Sequence, residues 1–342
     1  MRRFILATLF VVLVAAGCDK DGGKMMYDDP NAVDDFAIEG LTVDNFPFID
    51  CSTSTSPLRD MVMFKMLGLS YYWGINFISG SEYRLYYDFP EGMVMQSPEH
   101  IAFTDRMHTL RRSNGSHGAY VGLIDGDTDV IIDSRDISRN EQVEAREKGV
   151  SVTTKPLAWD ALVFIVNPVN RIKSLTVDQI RKIYSGEITN WKQVGGIDHE
   201  IHAYVRDPDS GSQEKMETLV MKGLPMAIKP EMIGGGMMSP YFSIEEDEWG
   251  IGYTPYYYCE RMVGDLRRVK VLAVGGVYPT PATILKGVDG RTGGYPFYSS
   301  IYAAIRSDEP QDSFAGQIYR WLSTPAAKDI VDESGYISLR AH

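Results

Sequence analysis

The sequence predicts an α/β protein of two domains, and three observations carry that prediction. From Gly40 onwards, short apolar runs alternate with amphipathic stretches of helical length. The chain has 342 residues, enough for two domains at roughly 100–200 residues each. No polar linker interrupts its middle, so a second domain is expected as an insertion reached through structured strands. A hydrophobic content of 44% and an aromatic content of 11% supply a sizeable core.

The N-terminus stands apart from this alternation. "MRR" is a short basic head, "FILATLFVVLVAA" is apolar but short for a membrane span, and "AAGC" sets small residues before Cys18. The pattern resembles a bacterial lipoprotein signal over 1–17, with cleavage leaving Cys18 to carry lipid. The acidic, polar stretch over 18–39 reads as a tether holding a folded domain off a membrane. The expected localisation is the cell envelope, on the periplasmic or outer side of a bacterial membrane.

Taken in order, the elements beyond the tether are these. "NFPFIDCSTSTSPLRDMVMFKMLG" is a strand, a hydroxyl-rich turn and a helix with Pro57 in its first turn, where proline sacrifices no intrahelical hydrogen bond. "SNGSHGAYVGLIDGDTDVIID" is a turn, a helix from about Ser116 and a strand. "PLAWDALVFIVNP" is a long buried strand. "SLTVDQIRKIYSGEITNW" is a helix capped by Ser174 or Thr176 and closed by Gly186. "HEIHAYVR" is a strand leading to "DPDSGSQEKMETLV", whose helix is expected over 212–221. "WGIGYTPYYY" and "YPFYSSIYAAIR" are further strands, and two helices separated at Pro325 close the chain. The long strands beginning near Leu157 and Tyr295 are the natural crossings. They place one domain over 40–156 plus 298–342 and the inserted one over 157–297.

Charge and composition exclude some functions. A net charge of −12 argues against non-specific nucleic-acid binding, which needs a broad basic surface. It leaves room for an anion in a pocket whose local field opposes the global one. Beyond Cys18 only Cys51 and Cys259 remain, too few for a disulfide framework, and both are expected to be unpaired core residues. There is no CxxC and no HExxH. His199 and His202 have the spacing of a metal pair, but they sit in a turn entering a strand. Neither cofactor nor metal is called for.

The chemistry lies in a threefold recurrence. "STSTSP" (52–57), "SNGSHG" (113–118) and "DSGSQE" (209–214) each precede a helix. A helix start presents unpaired N–H donors and partial positive charge; serine and threonine add hydroxyls, and glycine admits close approach. Arg206, at the end of a strand, and Arg135, in "IIDSRDIS", each offer a forked cation matched to a tetrahedral oxyanion. Against this, serine and threonine are also the usual helix caps.

These residues resemble a family. "DCSTSTSPL", "TDVIIDSRDIS", the block "LVFIVNPVNRIKSLTVDQIRKIYSGEITNWKQVGG", "VRDPDSGSQEKMETLV", "GIGYTP" and "WLSTPAAKDIVDESGYISL" are similar to the phosphate-binding proteins of bacterial phosphate ABC transporters. The resemblance implies a class II periplasmic-binding-protein fold, two α/β lobes joined by hinge strands. It implies a non-enzymatic, monomeric receptor that captures phosphate or a similar tetrahedral oxyanion in the cleft and hands it to ABC permease subunits, with no nucleic acid involved. Carried over residue by residue, the ligand contacts fall on Ser54, Thr55, Ser116, Arg206, Ser210, Gly211 and Ser212. Arg135 stands where some members carry an aspartate that accepts the phosphate proton, so another acceptor is needed. Asp160, Asp209 and Asp133 are the candidates, with Asp160 preferred because its strand crosses between lobes. Cys51 in place of the usual glycine and His117 within the second turn are further departures. A permease-free sensor or scavenger, and a phosphatase using the same cradle, are the alternatives.

Overall fold

A computed structural model of the chain describes residues 25–26, 37–76 and 80–339. Cys18 and nearly all of the expected signal and tether lie outside the described residues. Among the described residues no helix is long and apolar enough to cross a membrane.

The elements that build the site follow in chain order. The first side of the molecule opens with β1 (Ile49–Cys51), α1 (Ser56–Met66), the hairpin β2 (Tyr71–Ile75) and β3 (Tyr83–Tyr87), and α2 (Pro98–Leu110). Then come α3 (Gly115–Asp125), β4 (Val130–Asp133) and α4 (Arg139–Glu147). β5 (Val152–Val166) leads to the second side, with α5 (Val177–Tyr184), β6 (His202–Ala203), β7 (Val205–Arg206), α6 (Gly211–Lys215), β8 (Ile233–Gly234), α7 (Ser239–Glu246), β9 (Gly250–Pro255) and α8 (Pro281–Val288). β10 (Tyr298–Arg306) returns to the first side, followed by α9 (Phe314–Trp321), α10 (Pro325–Ser334) and β11 (Ile337–Ser338).

The main sheet runs β1-β4-β10-β5-β9-β6, and β5 is its spine. Over Val152–Ala161 that strand pairs antiparallel with β10, and over Leu162–Val166 with β9. One 15-residue strand therefore belongs to both lobes. Its second part, "ALVFIV", is wholly buried, as a strand covered on both faces must be. Apolar burial of this extent is the main stabilising term of both lobes. At the far side β1 pairs parallel with β4, so the loops at their C-terminal ends, 52–55 and 134–138, emerge together. That edge is where ligands bind in open α/β sheets.

Most elements match the sequence expectation. Pro57 opens α1, and Thr176 forms a capping box with Gln179 at the start of α5. Two helices divide at Pro325. Cys51 and Cys259 are free and buried, and burial pushes each thiol up to about 12. Two expectations need correction, and one element was not foreseen. "HEIHAYVR" is not one strand: β6 pairs with β9 while β7, beyond Tyr204, pairs with β8. The helix expected over 212–221 starts at Gly211 and changes to π-helical hydrogen bonding over Met216–Met221. The tyrosine-rich hairpin β2–β3 has no counterpart in the sequence reading; its rings stack across the strands, as Tyr72 does on Tyr86.

Candidate functional site

The first two hydroxyl-rich turns are brought together by one buried carboxylate. Asp50, in β1, is fully buried; its Oδ1 accepts from the Cys51 and Asn114 backbone N–H groups at 2.8 and 3.0 Å, and its Oδ2 accepts from Asn114 Nδ2 at 2.6 Å. The start of α3 is thereby tied to the end of β1. Arg59, one turn into α1, strengthens the tie. Its guanidinium is buried, paired with Asp60 at 2.6 Å, and donates to the carbonyls of Ile49, Leu110, Arg111 and Arg112. The first carbonyl belongs to β1 and the other three to the end of α2, so β1, α1 and the α2–α3 turn hold a fixed relation.

Across the cleft, β7 and α6 are fixed by a different network. The Arg206 backbone N–H donates to Tyr253 Oη at 3.0 Å and Gln213 Oε1 at 3.1 Å, and Tyr253 also donates to Gln213 Oε1. Ser210 caps α6 by accepting from the Ser212 N–H at 3.3 Å.

These parts enclose a cavity of about 250 Å³. Its walls are Ser52, Thr53, Ser54, Gly115, Ser116 and Ser134 on one side, and Arg206, Asp207, Asp209, Ser210, Gly211, Ser212, Gly236 and Met237 on the other. The two walls touch at Gly211. A Cβ built there would lie 2.6 Å from Ser116 Oγ and 2.9 Å from Ser134 Oγ, so glycine is what allows the approach.

Six of the eight expected ligand residues line this cavity: Ser54, Ser116, Arg206, Ser210, Gly211 and Ser212. Thr55, Arg135 and Asp160 are not part of its lining. Thr55 is fully buried and its hydroxyl donates to the Ile132 carbonyl at 2.6 Å, which pins the turn to β4. Arg135 is spent on acids: it forks onto Glu141 at 2.8 and 2.6 Å and meets Glu214 at 2.5 Å. Burial opposes its charge, but Glu141, Glu214 and Asp133 outweigh it and raise its pKa. Asp160 accepts from the Tyr257 N–H at 3.0 Å, and burial raises its pKa. His117 sits outside, half exposed, against Glu141 at 3.0 Å. His199 stacks on Trp249 and His202 meets Asp247 at 2.7 Å; among the described residues no group of three His, Cys, Asp or Glu could hold a metal.

Sequence reasoning did not single out Ser52, Thr53, Ser134, Gly236 or Met237. Ser52 and Thr53 lie inside the quoted "STSTSP", and Ser134 lies between Asp133 and Arg135, so the signal was present but unresolved. Gly236 and Met237 arrive through β8, whose parallel pairing with β7 places Gly234 beside Arg206.

The electrostatics favour an anion. Arg206 is 4% exposed, its Nε has no hydrogen-bond partner, and among the described residues it makes no ion pair. Its Nη1 has only the Met237 thioether, at 3.7 Å. Burial consequently pulls its pKa down. An isolated buried cation is costly, and an anionic guest would offset that cost. The helix starts agree: neither α1 nor α3 has a side-chain cap, although nearly every other α-helix of the fold has one. In α1 no capping side chain accepts the first N–H groups, whereas in α3 the Gly115 N–H meets Ser113 Oγ at 3.4 Å. Asp207 and Asp209 are exposed at the rim, where solvent screens them.

Comparison with known proteins agrees with this geometry. Residues 102–328 match the PBP superfamily domain. The chain is 26% identical over 242 residues to the phosphate-binding protein PstS of Borreliella burgdorferi, covering 67% of this chain and 78% of that one. Against the phosphate-binding protein PstS of Staphylococcus saprophyticus it is 28% identical over 233 residues, covering 66% and 70%. Among solved structures, an ABC-type phosphate transport receptor from Vibrio cholerae aligns with a TM-score of 0.56 at 21% identity, over 87% of this chain and 99% of that one. A phosphate-binding protein from Stenotrophomonas maltophilia aligns at 0.51 and 14% identity, over 67% and 83%. The fold is thus the two-lobed α/β fold of periplasmic binding proteins, and the chain belongs to the PBP superfamily.

Proposed function

We propose that this protein captures inorganic phosphate, or a similar tetrahedral oxyanion, in the interlobe cavity and delivers it to an ABC permease. The observation that carries the reading is Arg206, a buried guanidinium with no acid of its own, aimed at a cavity of hydroxyls and uncapped helix starts. Relatives named as phosphate-binding proteins support the ligand class.

In this reading Arg206, Ser210, Gly211 and Ser212 grip the anion from the inserted lobe (157–297). Ser52, Thr53, Ser54 and Ser116 do so from the other lobe (40–156 plus 298–342). No single lobe completes the cage, so the ligand favours the closed form through contacts available only there. The chain works as a monomeric binding protein outside the cytoplasm, in the cell envelope, with Cys18 carrying a lipid anchor. No reaction is assigned: the relatives are named for binding phosphate.

Isothermal titration of ligand-free protein with phosphate tests the proposal. Saturable one-to-one binding is expected, with no hydrolysis of a chromogenic phosphate ester. Absence of phosphate binding would overturn it.

A further inference from the structure

We propose that Ser116 meets the bound anion as a hydrogen-bond acceptor, held in that role by Asp133, and so selects a protonated oxyanion over one without a proton. The inference rests on the phosphate reading above and names how that site tells its ligand from sulfate.

Ser116 is 3% exposed and lines the cavity, and its hydroxyl donates to Asp133 Oδ1 at 2.8 Å. A hydroxyl has one proton and two lone pairs, and a carboxylate oxygen can only accept. With the proton committed to Asp133, the Ser116 oxygen turns lone pairs towards the cavity. Its direction does not depend on the charge of Asp133. Oδ1 also receives the Arg135 backbone N–H at 3.3 Å, so it accepts from two donors. Oδ2 has no hydrogen-bond partner, and any proton taken up belongs there. Around Asp133 lie Arg135 and the buried Lys215, which favour its ionised form, and Glu214 and Tyr120, which are themselves pushed towards neutrality by it.

Most other groups of the cavity act as donors. Arg206 can only donate. The Ser210 oxygen takes the Ser212 N–H, leaving its own O–H for a ligand. Ser52 donates to Thr55 Oγ1 at 2.8 Å, because the Thr55 proton goes to the Ile132 carbonyl, and its oxygen has the Ser54 hydroxyl as a donor of its own at 3.2 Å. Asp209 is the other acceptor considered, but it sits exposed at the rim. A monohydrogen phosphate can donate its proton to Ser116, whereas sulfate sets lone pair against lone pair there. A buried acceptor that the wrong ligand leaves unpaired is a strong discriminator.

The test is titration of the mature chain with inorganic phosphate and, separately, sulfate, for wild type and for Ser116→Ala, Asp133→Ala and Asp209→Asn. Asp133→Ala removes the acceptor at Oδ1 and releases the serine hydroxyl to donate, so the phosphate-to-sulfate affinity ratio is expected to fall about tenfold or more. Ser116→Ala is expected to weaken phosphate and leave sulfate unchanged or tighter, and it carries the test should Asp133→Ala fail to fold. Asp209→Asn should keep the wild-type ratio. Equal weakening of both anions in the first two variants, or an unchanged ratio, overturns the inference while leaving the phosphate reading intact. Collapse of the ratio in Asp209→Asn alone also overturns it. A wild type that binds no phosphate removes the underlying reading instead.

Discussion

Arg135 and Glu214 meet across the cleft, Nε to Oε2 at 2.5 Å, and form an ion pair that joins the loop after β4 to helix α6. Glu141 holds the other face of the same guanidinium, so the arginine is anchored in one lobe and only its third contact reaches the other. A pair so placed is expected to act as a latch on a closed arrangement. Burial raises the pKa of Glu214, against the lowering effect of Arg135. Glu214→Gln is expected to weaken phosphate binding by about 1 kcal/mol, the size of a partly exposed ion pair. The thermal stability of the ligand-free protein should change little, because Glu141 still neutralises Arg135. Titration and melting curves together check both halves; a large loss of stability with unchanged affinity would contradict the latch.

Arg206 behaves differently because no acid among the described residues pairs with it. Arg206→Ala should cost phosphate binding about 2–5 kcal/mol, the range for removing a buried charged partner. Arg206→Lys keeps the charge but loses the planar fork, and should fall between. Without ligand, Arg206→Ala is expected to be no less stable than wild type, since an unpaired buried cation has been removed. Calorimetric titration measures the first effect and a melt in ligand-free buffer the second.

Gly211 is where the walls touch. Gly211→Ala puts a methyl group within 2.6 Å of Ser116 Oγ and 2.9 Å of Ser134 Oγ. Relief requires the lobes to part by a fraction of an ångström, at about 1–3 kcal/mol. The expected result is weaker phosphate binding and a more open solution structure at saturating ligand, visible by small-angle scattering.

Asp133 makes stability depend on pH in a defined direction. Burial raises its pKa from 3.8 to about 6, with Arg135, Ser116 and Lys215 acting the other way. The folded protein therefore holds this proton more tightly than the unfolded chain. Its contribution to stability is complete below pH 3.8 and is lost as pH rises through about 6. Asp133→Asn lacks this loss. The melting temperature of the variant relative to wild type should climb across that window and level off above it; a constant offset would show that Asp133 does not titrate there.

The α/β class, the helix boundaries at Pro57, Thr176 and Pro325, and the three hydroxyl-rich turns were legible in the sequence. Caps, proline positions and apolar periodicity are written within a few residues of where they act. Convergence of two of those turns could be suspected from "DCSTSTSPL", although the buried Asp50 that ties them to each other shows its role only once Asn114, 64 positions away, lies against it.

What the sequence alone determined was the supply of donors: serines, glycines and arginines at strand ends and helix starts. Only the tertiary structure decided which of them remain available. Arg135 and Arg206 read alike as strand-end cations, yet Glu141 and Glu214 neutralise the first and no acid among the described residues pairs with the second. Thr55 and Ser116 also read alike, yet one spends its proton on a backbone carbonyl at the base of the turn and the other on a carboxylate beside the cavity. The reason is physical: a polar group's freedom to bind depends on the partners that packing brings within about 3 Å of it, and those partners come from anywhere in the chain.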